Sequence, residues 1–255
     1  MQRPVLWRRT SLTPRESGVL ECRGLSVRFG GVQAVDAVDL RVVRGEVLGL
    51  IGPNGAGKTS LMNAVAGLNR PTSGRVFLDS VDITGRAPHR LARLGLARTF
   101  QDVRLFRGLT VLENLEVGAV GVGIGRREAR QRGLALLEEI QLETKASWTA
   151  ASLSYGEEQR LAIARALAMS PGFLLLDEPA AGLNEAETDV LHDTIVQIRR
   201  VRGCGILIIE HDMRLIMKLC HRLHVLDRGG TLSVGPPDEV RRDPSVRAAY
   251  LGDAG

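Results

Sequence analysis

Four short runs of almost unbroken apolar residues punctuate this chain: Val47–Ile51 (VLGLI), Phe173–Leu176 (FLLL), Ile206–Ile209 (ILII) and Leu223–Leu226 (LHVL). Runs of this length and apolarity suit strands buried on both faces, the usual state of a parallel sheet covered by helices. Segments of helical character follow three of them, at Lys58–Gly67, Glu185–Arg202 and Asp212–Cys220. Strand followed by helix, repeated, predicts α/β architecture. The opening stretch is patterned differently. Leu20–Phe29 and Val32–Val43 alternate apolar with polar residues and meet at Gly30-Gly31, which predicts an antiparallel β portion. From roughly Asp102 to Leu153 the pattern is mostly helical. Within it Arg127–Leu142 has amphipathic spacing, with Leu134, Leu137 and Ile140 among its apolar positions. This predicts a helical subdomain, about residues 102–168, inserted into the α/β core. Pro236–Leu251 predicts two short helices separated by Pro244.

Composition changes this picture little. The chain has 255 residues, 44% hydrophobic and 25% charged, enough for a sizeable core. The expected division is a flexible tail over residues 1–18, without the apolar stretch of a secretory signal, and one domain over 19–251. No run approaches the ~18 apolar residues of a membrane-spanning helix. The net charge of +5 comes mostly from scattered arginines. The densest group, Arg126, Arg127, Arg130 and Arg132, reads as a solvated helix face. Aromatics make up only 4%, which leaves little to stack on bases, so nucleic acid is not an expected partner. Cys22, Cys204 and Cys220 are odd in number and lack CxxC spacing, which argues against disulfide or zinc frameworks.

The chemistry is concentrated where predicted strands end. GPNGAGKT, Gly52–Thr59, follows VLGLI and precedes a helix, the strand–loop–helix setting that the G-x-x-x-x-G-K-[ST] motif needs. Its glycines let backbone N–H groups close on phosphate, and the helix N-terminus adds its dipole. Gly52, Pro53, Asn54, Gly55, Ala56 and Gly57 form the cradle. Lys58 reaches the β- and γ-phosphates, Thr59 offers a hydroxyl to Mg²⁺, and Ser60 is placed for the α-phosphate. The ligand set is therefore ATP with Mg²⁺. FLLLDEP puts Asp177 and Glu178 at the C-terminal end of a buried strand, the edge where open α/β sheets bind ligands. Asp177 suits the Mg²⁺ side and Glu178 the attacking water. Gln101 closes ARTFQ and His211 closes ILIIEH, so both emerge at strand ends as well. Taken singly, the acids also fit helix capping, and a lone histidine is usually structural.

With LSYGEEQR at Leu153–Arg160 added, the ordered set resembles the nucleotide-binding subunit of an ABC transporter over about Val19–Leu251. A P-loop alone leaves kinases, GTPases and helicases open; the signature-like loop at its spacing removes them. The resemblance implies that Phe29 stacks on adenine and that Gln101 is the Q-loop residue, acting in catalysis and at the metal. It further implies that Ser154 and Gly156 are the signature contacts to nucleotide, Glu178 the catalytic glutamate, and His211 the switch histidine. Tyr155 and Glu157 stand where the common signature has Gly and Gln, and Asn184 where the D-loop usually has Asp. RFGGVQAV, ARTFQDVRLFRGLTVLENL, DEPAAGLN, IIEHDM and DPSVRAAYLG narrow the likeness to the ATP-binding subunits of branched-chain amino acid importers, a group shared with urea and amide importers. The implied partners are a second ATP-binding subunit and transmembrane permeases, with a solute-binding protein acting indirectly. The implied location is peripheral, on the cytoplasmic face of the cell membrane. Exporter subunits, soluble ABC ATPases and non-hydrolysing regulatory modules remain as alternatives.

Overall fold

The computed structural model describes residues 18–251, so nearly all of the expected tail lies outside the described residues. The chain opens with a hairpin, β1 (Val19–Phe29) and β2 (Val32–Val43), paired antiparallel with Phe29 opposite Val32 across the Gly30-Gly31 turn. β3 (Val47–Ile51) leads through the glycine-rich loop to α1 (Lys58–Val65). β4 (Ser73–Leu78) and β5 (Val81–Asp82) join the hairpin, and α2 (Pro88–Arg93) precedes β6 (Leu96–Arg98). α3 (Val111–Gly121), α4 (Arg126–Glu139) and α5 (Tyr155–Ala168) form the inserted helical part. β7 (Phe173–Asp177), α6 (Glu185–Arg202), β8 (Gly205–Ile209) and α7 (Met213–Leu219) return to the α/β alternation. The antiparallel pair β9 (Arg222–Asp227) and β10 (Gly230–Gly235) and the helices α8 (Pro237–Arg242) and α9 (Pro244–Leu251) close it.

Two sheets result, ordered β2-β1-β4-β5 and β10-β9-β3-β8-β7-β6. In the second, β9, β3, β8, β7 and β6 run parallel. Its alternate residues feed different cores, because successive side chains of a strand point to opposite faces. Leu48 and Leu50, Phe173 and Leu175, Leu207 and Ile209 pack with the antiparallel sheet and α1. Val47 and Ile51, Leu174 and Leu176, Ile206 and Ile208 pack with the helices on the other side. That division is why these strands read as unbroken apolar runs.

The predicted architecture is present, with corrections of detail. α4 buries Ala129, Gly133, Leu136 and Leu137, with Ile140 at its end, whereas Leu134 is 44% exposed. The burial stripe therefore passes beside Leu134, not through it. The segment between Gln101 and α3 is irregular; helix begins only where Thr110 and Glu113 form a capping box. β4, β5 and β10 add to the predicted elements, whereas β6 covers the start of the strand-like ARTFQ run and ends before Gln101. β5 and β10 are edge strands, whose one-sided pairing leaves little periodicity to read, and β4 is exposed over its first half, which hides its alternation. Of the basic cluster, Arg130 pairs with Glu116 and Arg132 with Glu128 on the surface. All three cysteines are free and buried, and burial pushes each thiol up to about 12.

Candidate active site

The glycine-rich loop turns at the C-terminal edge of the parallel sheet. Gly57 caps α1 with φ of 98°, and a Cβ there would lie 2.2 Å from the Ala34 carbonyl oxygen of β2. Only glycine meets both conditions. No side chain among the described residues caps α1, which leaves its first N–H groups to offer to an anion. Lys58 is buried, and its Nζ donates to the carbonyls of Gly52 (2.7 Å) and Pro53 (2.9 Å). Burial pulls the ammonium pKa down, and the Glu178 carboxylate partly offsets this. Thr59 is exposed at the mouth of the loop and Ser60 half-buried beside it. Phe29 ends β1 with 49% exposure, on the hairpin whose second strand touches Gly57 at Ala34.

Gln101, Glu178 and His211 come together. Gln101 Nε2 donates to Glu178 Oε2 at 2.7 Å, and His211 Nε2 lies 3.2 Å from Glu178 Oε1. The cause is topological: β6, β7 and β8 are neighbours in parallel register, so the residues just past their ends share one edge. Glu178 has a φ of +48°, rare for a side chain of this size, and its N–H donates to the Ile209 carbonyl at 2.9 Å. Such backbone costs on the order of 1–3 kcal/mol and persists where surroundings over-determine it.

Two charged residues at the site, Arg98 and Glu210, carried no role in the sequence reading. Arg98 is buried between two elements: Nη2 donates to Asp177 Oδ2 at 2.7 Å, and Nη1 to Asn63 Oδ1 of α1 at 2.6 Å. This joins the P-loop helix to the Asp177 strand from beneath. The Asp177 Oδ1 atom has no protein hydrogen-bond partner among the described residues. Glu210 is 4% exposed and accepts from the N–H groups of Ala180 (2.7 Å), His211 (2.7 Å) and Asp212 (3.2 Å). It therefore locks the chain after Glu178 to the chain around His211. A charged residue closing an apolar run was the only sequence sign of either.

The donors fit ATP with Mg²⁺. Thr59 and Asp177 offer the hard oxygens that magnesium takes, with few protein ligands and several from phosphate and water. Among the described residues no cluster of three or more His, Cys, Asp and Glu could hold a metal alone. Ser154 and Gly156 stand apart from this constellation. Ser154 caps α5 in a capping box with Glu157, and the cavity there is lined by Ser154, Gly156, Glu157, Asn184 and Glu187 but by no P-loop residue. Tyr155 packs beside Gly182 and accepts a hydrogen bond from Gln159 at 3.0 Å.

A family model described as ABC transporter matches residues 35–181. The chain belongs to the ABC transporter family. A second model, the branched-chain amino acid ATP-binding cassette transporter, matches residues 231–255 of this family member. The ABC chain is 41% identical to the high-affinity branched-chain amino acid transport ATP-binding protein BraF of Pseudomonas aeruginosa, over 92% of this chain and 98% of that protein. It is 42% identical to LivG of Escherichia coli, a protein of the same description, with the same coverage. The lipopolysaccharide export ATP-binding protein LptB of Acidithiobacillus ferridurans is 39% identical over 93% of this chain and 98% of its own. Among solved structures, the ADP conformation of the cassette MJ1267 superposes with a TM-score of 0.84 at 29% identity, covering 92% of this chain and 99% of that one. The dimeric ADP- and phosphate-bound cassette MJ0796 gives 0.75 at 26% identity, covering 86% and 98%.

Proposed function

We propose that this chain is the ATP-hydrolysing subunit of a membrane importer for branched-chain amino acids, acting at the cytoplasmic face. The observation that carries the hydrolytic reading is Glu178 held between Gln101 and His211 at the sheet edge beside the P-loop. The C-terminal match and the BraF and LivG likeness support the solute class.

The residues divide the work by position. Phe29 offers a face to the adenine. The N–H groups at the start of α1 and the Gly52–Gly57 backbone receive the phosphates. Lys58 exchanges its two carbonyl partners for phosphate oxygens, which restores a full counter-charge to its ammonium. Thr59, Asp177 and Gln101 would hold Mg²⁺, which supplies neutralisation of the charge on the transferring phosphoryl group. Glu178 orients and deprotonates the attacking water; Gln101 and His211 hold its two carboxylate oxygens in place. Ser154 and Gly156 complete the site from a second subunit, since in one chain their cavity is separate from the P-loop. ATP then favours the closed pair, and hydrolysis releases it.

Movement leaves through the segment after Gln101. Asn114 is fully buried and holds that segment by Phe106 N–H (2.9 Å), Phe106 carbonyl (3.1 Å) and Thr110 carbonyl (2.9 Å). Arg104 lies over the Phe100 ring and Arg165 over the Phe106 ring, lining a groove against α3 and α5 that suits a permease segment. No helix among the described residues is long and apolar enough to cross a membrane, so translocation belongs to such partners.

Glu178→Gln tests the assignment: nucleotide binding stays within about threefold while hydrolysis falls at least about a hundredfold. Normal turnover by that variant would refute it. The LptB likeness favours export as a second reading. Reconstitution with the co-purifying permeases separates the two: leucine uptake dependent on a binding protein supports import, and its absence with lipid extraction supports export.

A further inference from the structure

The signature loop of this chain is more acidic than the chemistry at its tip favours. Glu157 is the third residue of α5, and its Oε2 accepts the Ser154 N–H at 3.0 Å, one turn from the helix start where an anion docks best. Glu187 is equally close: a Cβ on Gly156 would lie 2.7 Å from Glu187 Oε1. Two carboxylates thus flank the atoms that a nucleotide phosphate from a second subunit must reach, and like charge there opposes docking. One cation answers Glu157 directly. Lys145 comes from the turn before the signature, and its Nζ lies 2.6 Å from Glu157 Oε1, with both side chains largely sheltered. The ammonium also lies 4.9 Å from the Trp148 ring centroid, which narrows its freedom to leave. Burial alone would raise the Glu157 pKa, but Lys145 and the Ser154 N–H outweigh it and hold the carboxyl below its usual value. The glutamate is therefore charged and needs its partner. Arg160 lines the same cavity with a buried Nε that has no partner among the described residues.

We propose that Lys145 is the counter-charge of the signature loop, a positioning residue that ties back and neutralises Glu157 so that ATP bound to a facing subunit can meet Ser154 and Gly156. This rests on the two-subunit reading above. It gives the Glu157 departure from the common Gln a physical consequence: the glutamate works only with the lysine, and a glutamine would need none.

The experiment measures MgATP-dependent dimerisation by light scattering across a concentration series, in the full-length Glu178→Gln parent. Lys145→Met weakens the dimer at least about tenfold, whereas Lys145→Arg stays within about threefold. Glu157→Gln alone dimerises at least as tightly as the parent, and Lys145→Met with Glu157→Gln returns to within about threefold of it. Thermal melts of the nucleotide-free monomers accompany each variant. An unweakened Lys145→Met dimer, a weak double variant, or a weak Glu157→Gln single variant would each overturn the proposal. The single Glu157→Gln variant decides the matter even where Lys145→Met does not fold. A parent that forms no MgATP-dependent dimer would instead overturn the two-subunit reading on which the proposal stands.

Discussion

Replacing Arg98 by methionine is the most severe single change the structure predicts away from the nucleotide itself. The Arg98 and Asp177 side chains are 8% and 6% exposed, so water cannot take over when one partner is removed. Methionine keeps most of the volume and leaves Asp177 as a buried, uncompensated carboxylate. Breaking a buried pair in this way costs about 3–5 kcal/mol. The lost bond to Asn63 contributes about 1 kcal/mol more. A domain of this size holds about 5–15 kcal/mol in total, so the variant spends a large part of its margin. At about 2–4 °C per kcal/mol the melting temperature falls by roughly 8–24 °C. Urea unfolding followed by circular dichroism measures the free-energy loss directly. The companion Arg98→Met/Asp177→Asn removes the orphaned charge and recovers most of it, leaving a cost near that of the Asn63 bond. An Arg98→Met variant within about 1 kcal/mol of the parent, or a double variant no more stable than the single, would refute the reasoning.

Other expectations are simpler. Lys58→Ala lowers ATP affinity at least about tenfold in a fluorescence titration with a labelled nucleotide, because the only ammonium in the cradle is lost; unchanged affinity would contradict the phosphate assignment. His224 is 2% exposed, and burial, helped by the nearby Arg222 charge, pulls its pKa down to about 4. The unfolded chain protonates it near 6.5, so its share of stability is complete above that pH and falls away between about 6.5 and 4, by about 3 kcal/mol. His224→Gln, which retains a polar atom for Thr231, flattens that part of the stability–pH curve; parallel curves for variant and parent would count against it.

Much of the site was legible along the chain because its parts are local. The P-loop is eight consecutive residues, and its backbone does the binding, so glycine spacing states it almost completely. Glu178, Gln101 and His211 were legible as residues that close strand-like runs. Their mutual contact was not, since it depends on β6 and β8 flanking β7. Arg98 and Glu210 were illegible for the same reason. A charged residue near a strand end has many possible partners, and only the fold chooses Asn63 and Asp177 for one and three backbone N–H groups for the other.

The sequence by itself determined the alternation of buried strand and helix, the antiparallel opening and the phosphate cradle. Each follows from periodicity or from residues in direct succession, where covalent geometry does the placing. Tertiary structure alone decided which face of α4 is buried, which charges pair, and that the signature cavity excludes the P-loop of its own chain. It also supplied Lys145 to Glu157 from twelve positions away. Such contacts are made through space between elements whose order in a sheet or bundle no local pattern records.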